Sequence, residues 1–349
     1  MEKLKNPMTF HLDTSDFLLA DESEKESLIV VRESTSFFKD GVKRLLRNPV
    51  AVISLIIITF VLIFAFILPS FWPYKYNVQI RGSENLGAFE YSEMEQSRID
   101  GGESVFPHIL GTDDFGRDYM VRTMMGCRIS LLVGMIASIL ILIIGSTYGA
   151  VAGYFGGRVD MIMMRIVDII YTVPDIMIII LLSVTLKHPL KALASEYQAL
   201  AWIHTVGVSL ICIFIVFSLL YWVGMARIVR SQVLTLKEQE YVTAARAMGA
   251  KPSRIIRKHL LTNCVGTLIV TTTLQIPASI FTESFLSFMG LGVAAPMPSL
   301  GSMASDAIGG LTSYPGRLLV PAFMISIIIL TFNLLGDGLR DAFDPKLRK

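Results

Sequence analysis

Tyr241-Val242-Thr243-Ala244-Ala245-Arg246-Ala247-Met248-Gly249-Ala250-Lys251-Pro252-Ser253-Arg254-Ile255-Ile256 lies between two long apolar segments and reads as a short helix carried on a polar loop. Tyr241, Val242, Ala245 and Met248 recur at i, i+1, i+4 and i+7, which gathers an apolar stripe while Thr243, Arg246 and Ala247 turn elsewhere. Gly249 supplies a helix stop and Pro252 opens the next element. Small Ala244 and Ala245 permit a partner backbone to come close, so the helix suits a groove on another protein. The same amphipathic pattern also suits a helix lying on a bilayer surface.

Composition sets the class of chain that carries this loop. Of 349 residues, 53% are hydrophobic and 17% charged, and the mean hydropathy is +0.58. That balance belongs to an all-α, polytopic membrane protein. Apolar runs near the roughly 20 residues needed to cross a bilayer occur at 49–68, 129–154, 161–186, 203–225, 265–291 and 318–335. The first starts too late and runs too long to be a signal peptide.

Lys and Arg orient these runs. Lys39, Lys43, Arg44 and Arg47 precede the first, and Arg158 and Arg165 bracket the turn before the third. Arg227, Arg230, Lys237, Arg246, Lys251, Arg254, Arg257 and Lys258 fill the loop between the fourth and fifth, and Arg340, Lys346, Arg348 and Lys349 follow the sixth. The opposite side is poorer in them. Both termini and the loop helix are therefore expected in the cytoplasm.

On the outer side, His108-Ile109-Leu110-Gly111-Thr112-Asp113-Asp114-Phe115-Gly116-Arg117-Asp118 ends a long connection. It lacks the alternating oxygen ligands and closing glutamate of a calcium loop. A capped turn is expected, with Thr112 or Asp113 as cap, a bend at Gly116 and Arg117 paired with a carboxylate. Glu84, Glu90, Glu93, Glu95, Asp100 and Glu103 make the earlier part acidic, for solubility or for docking. Cys127, Cys212 and Cys264 stand far apart with no ligand spacing, so neither a metal site nor a cofactor is expected.

A family resemblance rests on blocks that occur in order. These are Leu110-Gly111-Thr112-Asp113 with Gly116-Arg117-Asp118, Arg128-Ile129-Ser130-Leu131-Leu132-Val133-Gly134, Gly153-Tyr154-Phe155-Gly156-Gly157, and Met164-Arg165-Ile166-Val167-Asp168 before Pro174. Glu283-Ser284-Phe285-Leu286-Ser287-Phe288-Met289-Gly290-Leu291-Gly292 and Asn333-Leu334-Leu335-Gly336-Asp337-Gly338-Leu339-Arg340-Asp341 complete the set. The chain resembles the C-type membrane subunit of bacterial dipeptide and oligopeptide ABC importers. In that family the loop helix carries Glu-Ala-Ala, three residues, then Gly; here Thr243 holds the glutamate position, and Thr262 stands where a proline is expected.

The resemblance implies a type I importer permease of six transmembrane helices in the bacterial inner membrane, itself without catalytic residues. Its implied partners are a homologous B-type permease subunit, two cytosolic ATPases, an extracytoplasmic binding protein and the lipid bilayer, with no nucleic acid. Glu240, Tyr241, Ala244, Ala245, Met248 and Gly249 would dock the ATPase. The expected segments are a polar tail at 1–36, the first crossing within 37–68, an external connection at 69–127, a five-helix core at 128–338 with the coupling helix near 240–256, and a tail at 339–349. The cargo is a peptide, or nickel or an oligosaccharide as in related systems.

Ionisable groups inside crossings usually face protein or water. Asp168 follows Arg165 by three residues, and the two are expected to form a structural ion pair. Asp175, after the kink at Pro174, is expected to line the path or to cap the kink. Glu283 is expected to line the path or to hydrogen-bond to a neighbouring subunit. Gly134, Ser138, Gly145, Ser146, Gly149 and Gly153 suit close packing or a pore wall. An intramembrane protease using Asp337 is disfavoured because Leu335 breaks the Gly-x-Gly-Asp order. A channel or secondary transporter would have no use for the docking helix. The phosphate-loop pattern Gly-x-x-x-x-Gly-Lys does not occur, so ATP would be hydrolysed on partner chains.

Overall fold

The computed structural model describes residues 37–200, 202–293 and 295–343; the tail expected at 1–36 lies outside the described residues, as do 344–349. The chain divides into units 1–40 and 41–349, and of the first only the opening residues of α1 (Phe37–Leu45) are described. In the second unit, Asn48 caps α2 (Pro49–Leu62): its Oδ1 accepts from the amides of Val50 and Ala51 at 3.0 and 3.3 Å. Pro49 takes the first helical position, where an amide proton would go unused. The helix widens over Ile63–Ile67 and tightens over Leu68–Ser70. Within the connection that follows, the capping box of Ser92 and Glu95 opens α3 (Glu93–Asp100).

The chain continues as α4 (Tyr119–Phe155), α5 (Gly157–Thr172), α6 (Asp175–Glu196), α7 (Trp202–Val206), α8 (Val208–Leu220) and α9 (Trp222–Leu236). Next come α10 (Glu240–Ala247), α11 (Pro252–Arg254), α12 (Val265–Phe288), α13 (Leu300–Asp306) and α14 (Gly316–Phe343). Among the described residues no β-strand forms, and the fold is all-α as expected. Six segments are long and apolar enough to cross a membrane: Pro49–Ser70, Tyr119–Phe155, Asp175–Glu196, Val208–Leu236, Pro252–Phe288 and Gly316–Phe343.

Their number matches the sequence expectation, but several boundaries move. The third crossing was expected at 161–186 with an internal kink. Instead the chain breaks at Val173, whose backbone is extended (φ −88°, ψ 134°) as a residue before proline prefers, and the crossing begins at Asp175. The second crossing starts at Tyr119, so the connection expected at 69–127 ends at Asp118. The last helix runs on to Phe343, through part of the tail expected from 339. Polar residues inside the extra turns hid them from a hydropathy reading.

The 37-residue α4 spans roughly 55 Å, well beyond a hydrocarbon core of about 30 Å. It is the centre of the packing, with α9 along one side and α12 along another; α12 in turn meets α14, and α14 meets α2. Ile58, Val61, Leu131, Ile280, Ile328 and Phe332 fill the space among α2, α4, α12 and α14. On the α9 side the backbones nearly touch. A Cβ at Gly149 would strike the Ala226 carbonyl, and one at Gly145 would lie 2.6 Å from Met225 Cβ and 2.8 Å from the Trp222 carbonyl oxygen. The small-residue stripe of α4 therefore serves helix packing and not a pore wall.

Arg128 of α4 donates from Nε and Nη2 to the carbonyls of Ala65 and Phe66, at 2.8 and 3.0 Å. Those acceptors lie in the widened turn of the first crossing, where lipid offers no donor.

Replacing Gly149 by Leu is expected to destabilise the protein by at least the ~1–3 kcal/mol typical of overpacking, because the obstacle is backbone. Gly224→Ala, where an added methyl group meets open space, is expected to leave the transition in place. Thermal unfolding of the two variants in detergent checks the contrast.

Candidate functional site: the loop helix between the fourth and fifth crossings

The stripe read from the sequence splits in two. Val242 and Ala245 are buried, and Val242 packs with Val229, Val233, Ile255 and Leu260, which anchors α10 on its own chain. Met248 is 81% exposed and points away from the protein that carries it, while Tyr241, 40% exposed, leans on its own chain, its hydroxyl accepting from Asn263 Nδ2 at 3.2 Å. Glu240, Ala244 and Gly249 are also exposed. Ala245, of the expected docking set, is buried in the chain, where it borders the cleft at the helix end.

The end of α10 is locked by backbone geometry. The Gly249 amide donates to the Arg246 carbonyl at 3.0 Å and the Ala250 amide to the Ala245 carbonyl at 3.1 Å, a Schellman closure with Gly249 at φ +78°. Pro252 then starts α11, which runs through a wide turn (Ile255–Leu260) and a tight one (Leu261–Cys264) into α12. The coupling segment expected at 240–256 is therefore a helix of Glu240–Ala247 with its stop, and the remainder belongs to the fifth crossing.

A cleft of about 600 Å³ opens beside the helix end, lined by Met248, Gly249, Lys251, Arg254, Lys258 and His259 among others. It offers an apolar tip within a basic surround. Thr243 is exposed, and its Oγ1 reaches only the Gln239 carbonyl at 3.5 Å. Thr262 donates to the Arg257 carbonyl at 3.3 Å within the wide turn. Both departures from the family pattern are accommodated locally.

The charged residues singled out inside the crossings behave differently from expectation. Arg165 and Asp168 do not pair. Cluster packing of Val167 with Trp222, Val223 and Ala226 sets α5 against α9, so the Asp168 carboxylate meets Arg227 at 2.9 Å while Arg165 faces outward. One turn further along, Arg230 grips Asp160 through two hydrogen bonds of 2.5 Å. Glu283, expected to line the path or to hydrogen-bond to a neighbouring subunit, finds its partners within its own chain. It is fully buried, accepting from Ser130 Oγ at 2.8 Å and Ser287 Oγ at 2.7 Å. Asp175 is exposed at the first turn of α6, where its Oδ1 accepts from the Ile176 amide at 2.8 Å. It borders a cleft of about 480 Å³ lined by Tyr171, Pro174, Ile178, Leu220, Tyr221 and other residues. Gly336 and Gly338 seat against Leu274 and Ala51, so Gly-Asp-Gly is a packing sequence, with Asp337 exposed.

Two family models match the chain. Residues 145–349 match the binding-protein-dependent transport system inner membrane component, and residues 36–88 match the N-terminal transmembrane domain of oligopeptide transport permease C. The oligopeptide transport system permease protein OppC of Bacillus subtilis (strain 168) is 43% identical over 330 residues, covering 95% of each chain.

The chain belongs to the binding-protein-dependent inner membrane component family.

The dipeptide transport system permease protein DppC of the same organism is 42% identical, covering 95% of this chain and 93% of its own. The OppC protein of Escherichia coli (strain K12) is 34% identical, covering 90% and 93%. This family member is a multi-pass transport permease of six crossings, in agreement with the resemblance drawn from the sequence blocks.

Sequence reasoning missed one constellation in the connection between the first and second crossings of this permease. The cap of α4 is neither Thr112 nor Asp113 but Asp118, whose Oδ1 accepts from the Val121 amide at 2.9 Å and from Trp72 Nε1 at 3.2 Å. Asp113 instead folds the turn, accepting from the Phe115 and Arg117 amides and pairing with Arg117 Nε at 2.7 Å, as expected of Arg117. His108 lies fully buried between Asp118 and Glu95. Ser92-x-x-Glu95, a capping-box pattern, was the legible signal that one of the acidic residues had a structural place.

Glu283→Ala removes the acceptor shared by buried serine hydroxyls and is expected to cost about 1–3 kcal/mol, while Glu283→Gln keeps an acceptor and costs less. Chemical or thermal unfolding of both variants in detergent ranks them; equal stability would contradict the burial of this carboxyl group.

Proposed function

We propose that the chain forms half of the translocation pathway for peptides in an ATP-driven importer, with a homologous permease subunit forming the other half. Two cytosolic ATPases would dock on α10, and an extracytoplasmic binding protein would deliver the cargo. The observation that carries this reading is the outward half of α10: Met248 exposed on a helix whose other face is bolted to the chain and whose end is locked at Gly249.

Peptide as the cargo rests on the names of the relatives, which are oligopeptide and dipeptide permeases over nearly their whole lengths. The excess of Lys and Arg on the side of α10 supports a cytoplasmic placement of that side and of both termini. Transport would proceed by alternating access. Closure of the ATPases moves α10, and α9 and α12, joined to it directly and through α11, tilt with it. The Gly145 and Gly149 contact passes the tilt of α9 to α4.

The test is reconstitution of the copurified complex in proteoliposomes with its binding protein, scoring uptake of labelled peptide and ATP hydrolysis together. Nickel or oligosaccharide uptake in place of peptide would replace the cargo reading; uptake that persists with inactivated ATPases would overturn the coupling reading.

Gly249→Ile places a β-branched side chain at positive φ without any steric neighbour, so its effect is confined to the backbone. A strain of roughly 1–2 kcal/mol in the locked end is expected to cut coupled uptake by about five- to thirty-fold. ATPase activity would lose its dependence on the loaded binding protein while the complex still copurifies.

A further inference from the structure

The outer connection meets the second crossing at a buried three-residue clamp. His108 Nδ1 lies 2.8 Å from Asp118 Oδ2, and His108 Nε2 lies 3.2 Å from Glu95 Oε1. The imidazole and the Asp118 carboxyl group are fully buried and that of Glu95 nearly so. Each carboxylate is already committed as an acceptor: Asp118 to the first turn of α4 and to Trp72, Glu95 to the Ser92 amide at 2.9 Å. Tyr74 stacks on the imidazole, 4.3 Å between centroids, and its hydroxyl donates to the Phe106 carbonyl.

A neutral imidazole carries one N–H, so one ring nitrogen would turn a lone pair toward a carboxylate oxygen. Both contacts are favourable only for the doubly protonated ring. We propose that His108 is a positioning residue for transport: as an imidazolium shared by Asp118 and Glu95, it clamps the outer connection onto the first turn of α4. The outer end of the second crossing then responds to pH on that side. This role rests on the importer reading given above.

The electrostatics agree with the geometry. Burial pushes the His108 pKa down, but the hydrogen bonds and charges of Asp118 and then Glu95 outweigh it, leaving the value above the ordinary 6.5. Burial likewise pushes Glu95 up, but the Ser92 amide and hydroxyl and the His108 ring hold it below the ordinary 4.5. Tyr74, facing both carboxylates, is pushed up to about 12 by burial and their charges, with Tyr91 adding to the rise and Arg98 opposing it. It stays neutral throughout. Lys75 lines the neighbouring cleft at Asp118.

Since folding raises the His108 pKa, its contribution to stability is complete below 6.5 and is lost as pH climbs through the folded value. The Glu95 contribution is complete above 4.5 and is lost as pH falls through its lowered value. The clamp is therefore fully closed between these limits and loosens on the alkaline side.

The experiment is hydrogen exchange of segment 93–121 in the full-length chain, copurified with its partners in lipid nanodiscs and corrected for intrinsic exchange. Wild-type protection is expected to fall by up to about tenfold per pH unit between 6.5 and the folded His108 value, and to level off above it. Glu95→Gln supplies an amide N–H to Nε2, so a neutral ring is satisfied on both sides; protection should stay high and the step should vanish. His108→Gln should be weakly protected at every pH. A step of wild-type size in either variant overturns the clamp.

Peptide uptake by the reconstituted complex is then read against external pH, where Glu95→Gln should flatten the alkaline decline. An identical pH profile in wild type and Glu95→Gln overturns the positioning role. Absence of peptide uptake with an intact exchange step would overturn the cargo reading instead and leave the clamp standing.

Discussion

The contact of α4 with α9 at Gly145 and Gly149 is the constraint on which the rest of the permease depends. Lipid supplies no hydrophobic drive between two helices that are both apolar, so association rests on how closely their backbones approach. Once this seam is set, α9 carries α10 out of the membrane at one end, and α4 reaches the Asp118 cap at the other. A single 37-residue helix thereby joins the α10 loop, through α9, to the connection between the first and second crossings. Displacement at either end has a stiff route to the other.

Charged groups reinforce the same frame. Arg230 with Asp160 and Arg227 with Asp168 tie α5 to α9, next to the point where α10 departs. Glu283 joins α12 to α4 through Ser130, and Arg128 joins α4 to the end of the first crossing. Polar side chains inside the membrane-spanning segments are thus used to hold helices together.

How much was legible depended on whether a property is local. Crossing number followed from hydropathy because a lipid-facing helix must be apolar along its length. The stop at Gly249 and the start at Pro252 followed from the conformations those residues favour. Helix ends beyond the hydrocarbon were not legible: Arg122 and Arg128 of α4 sit in polar turns that only neighbouring elements make helical. Partner choice was not legible either. Arg165 and Asp168 share a helix, but the packing of Val167 against Trp222 and Ala226 brings Arg227 closer.

The sequence by itself determined an all-α chain of six crossings and a helix with a fixed end in the charged loop, because each depends on residues close in sequence and on their preference for water or lipid. Only the tertiary structure decided which face of that helix remains open, that Glu283 is a buried link and that Asp118 caps α4 beneath His108. Those outcomes depend on surfaces brought together from distant segments, and no spacing within one segment encodes the distance between two.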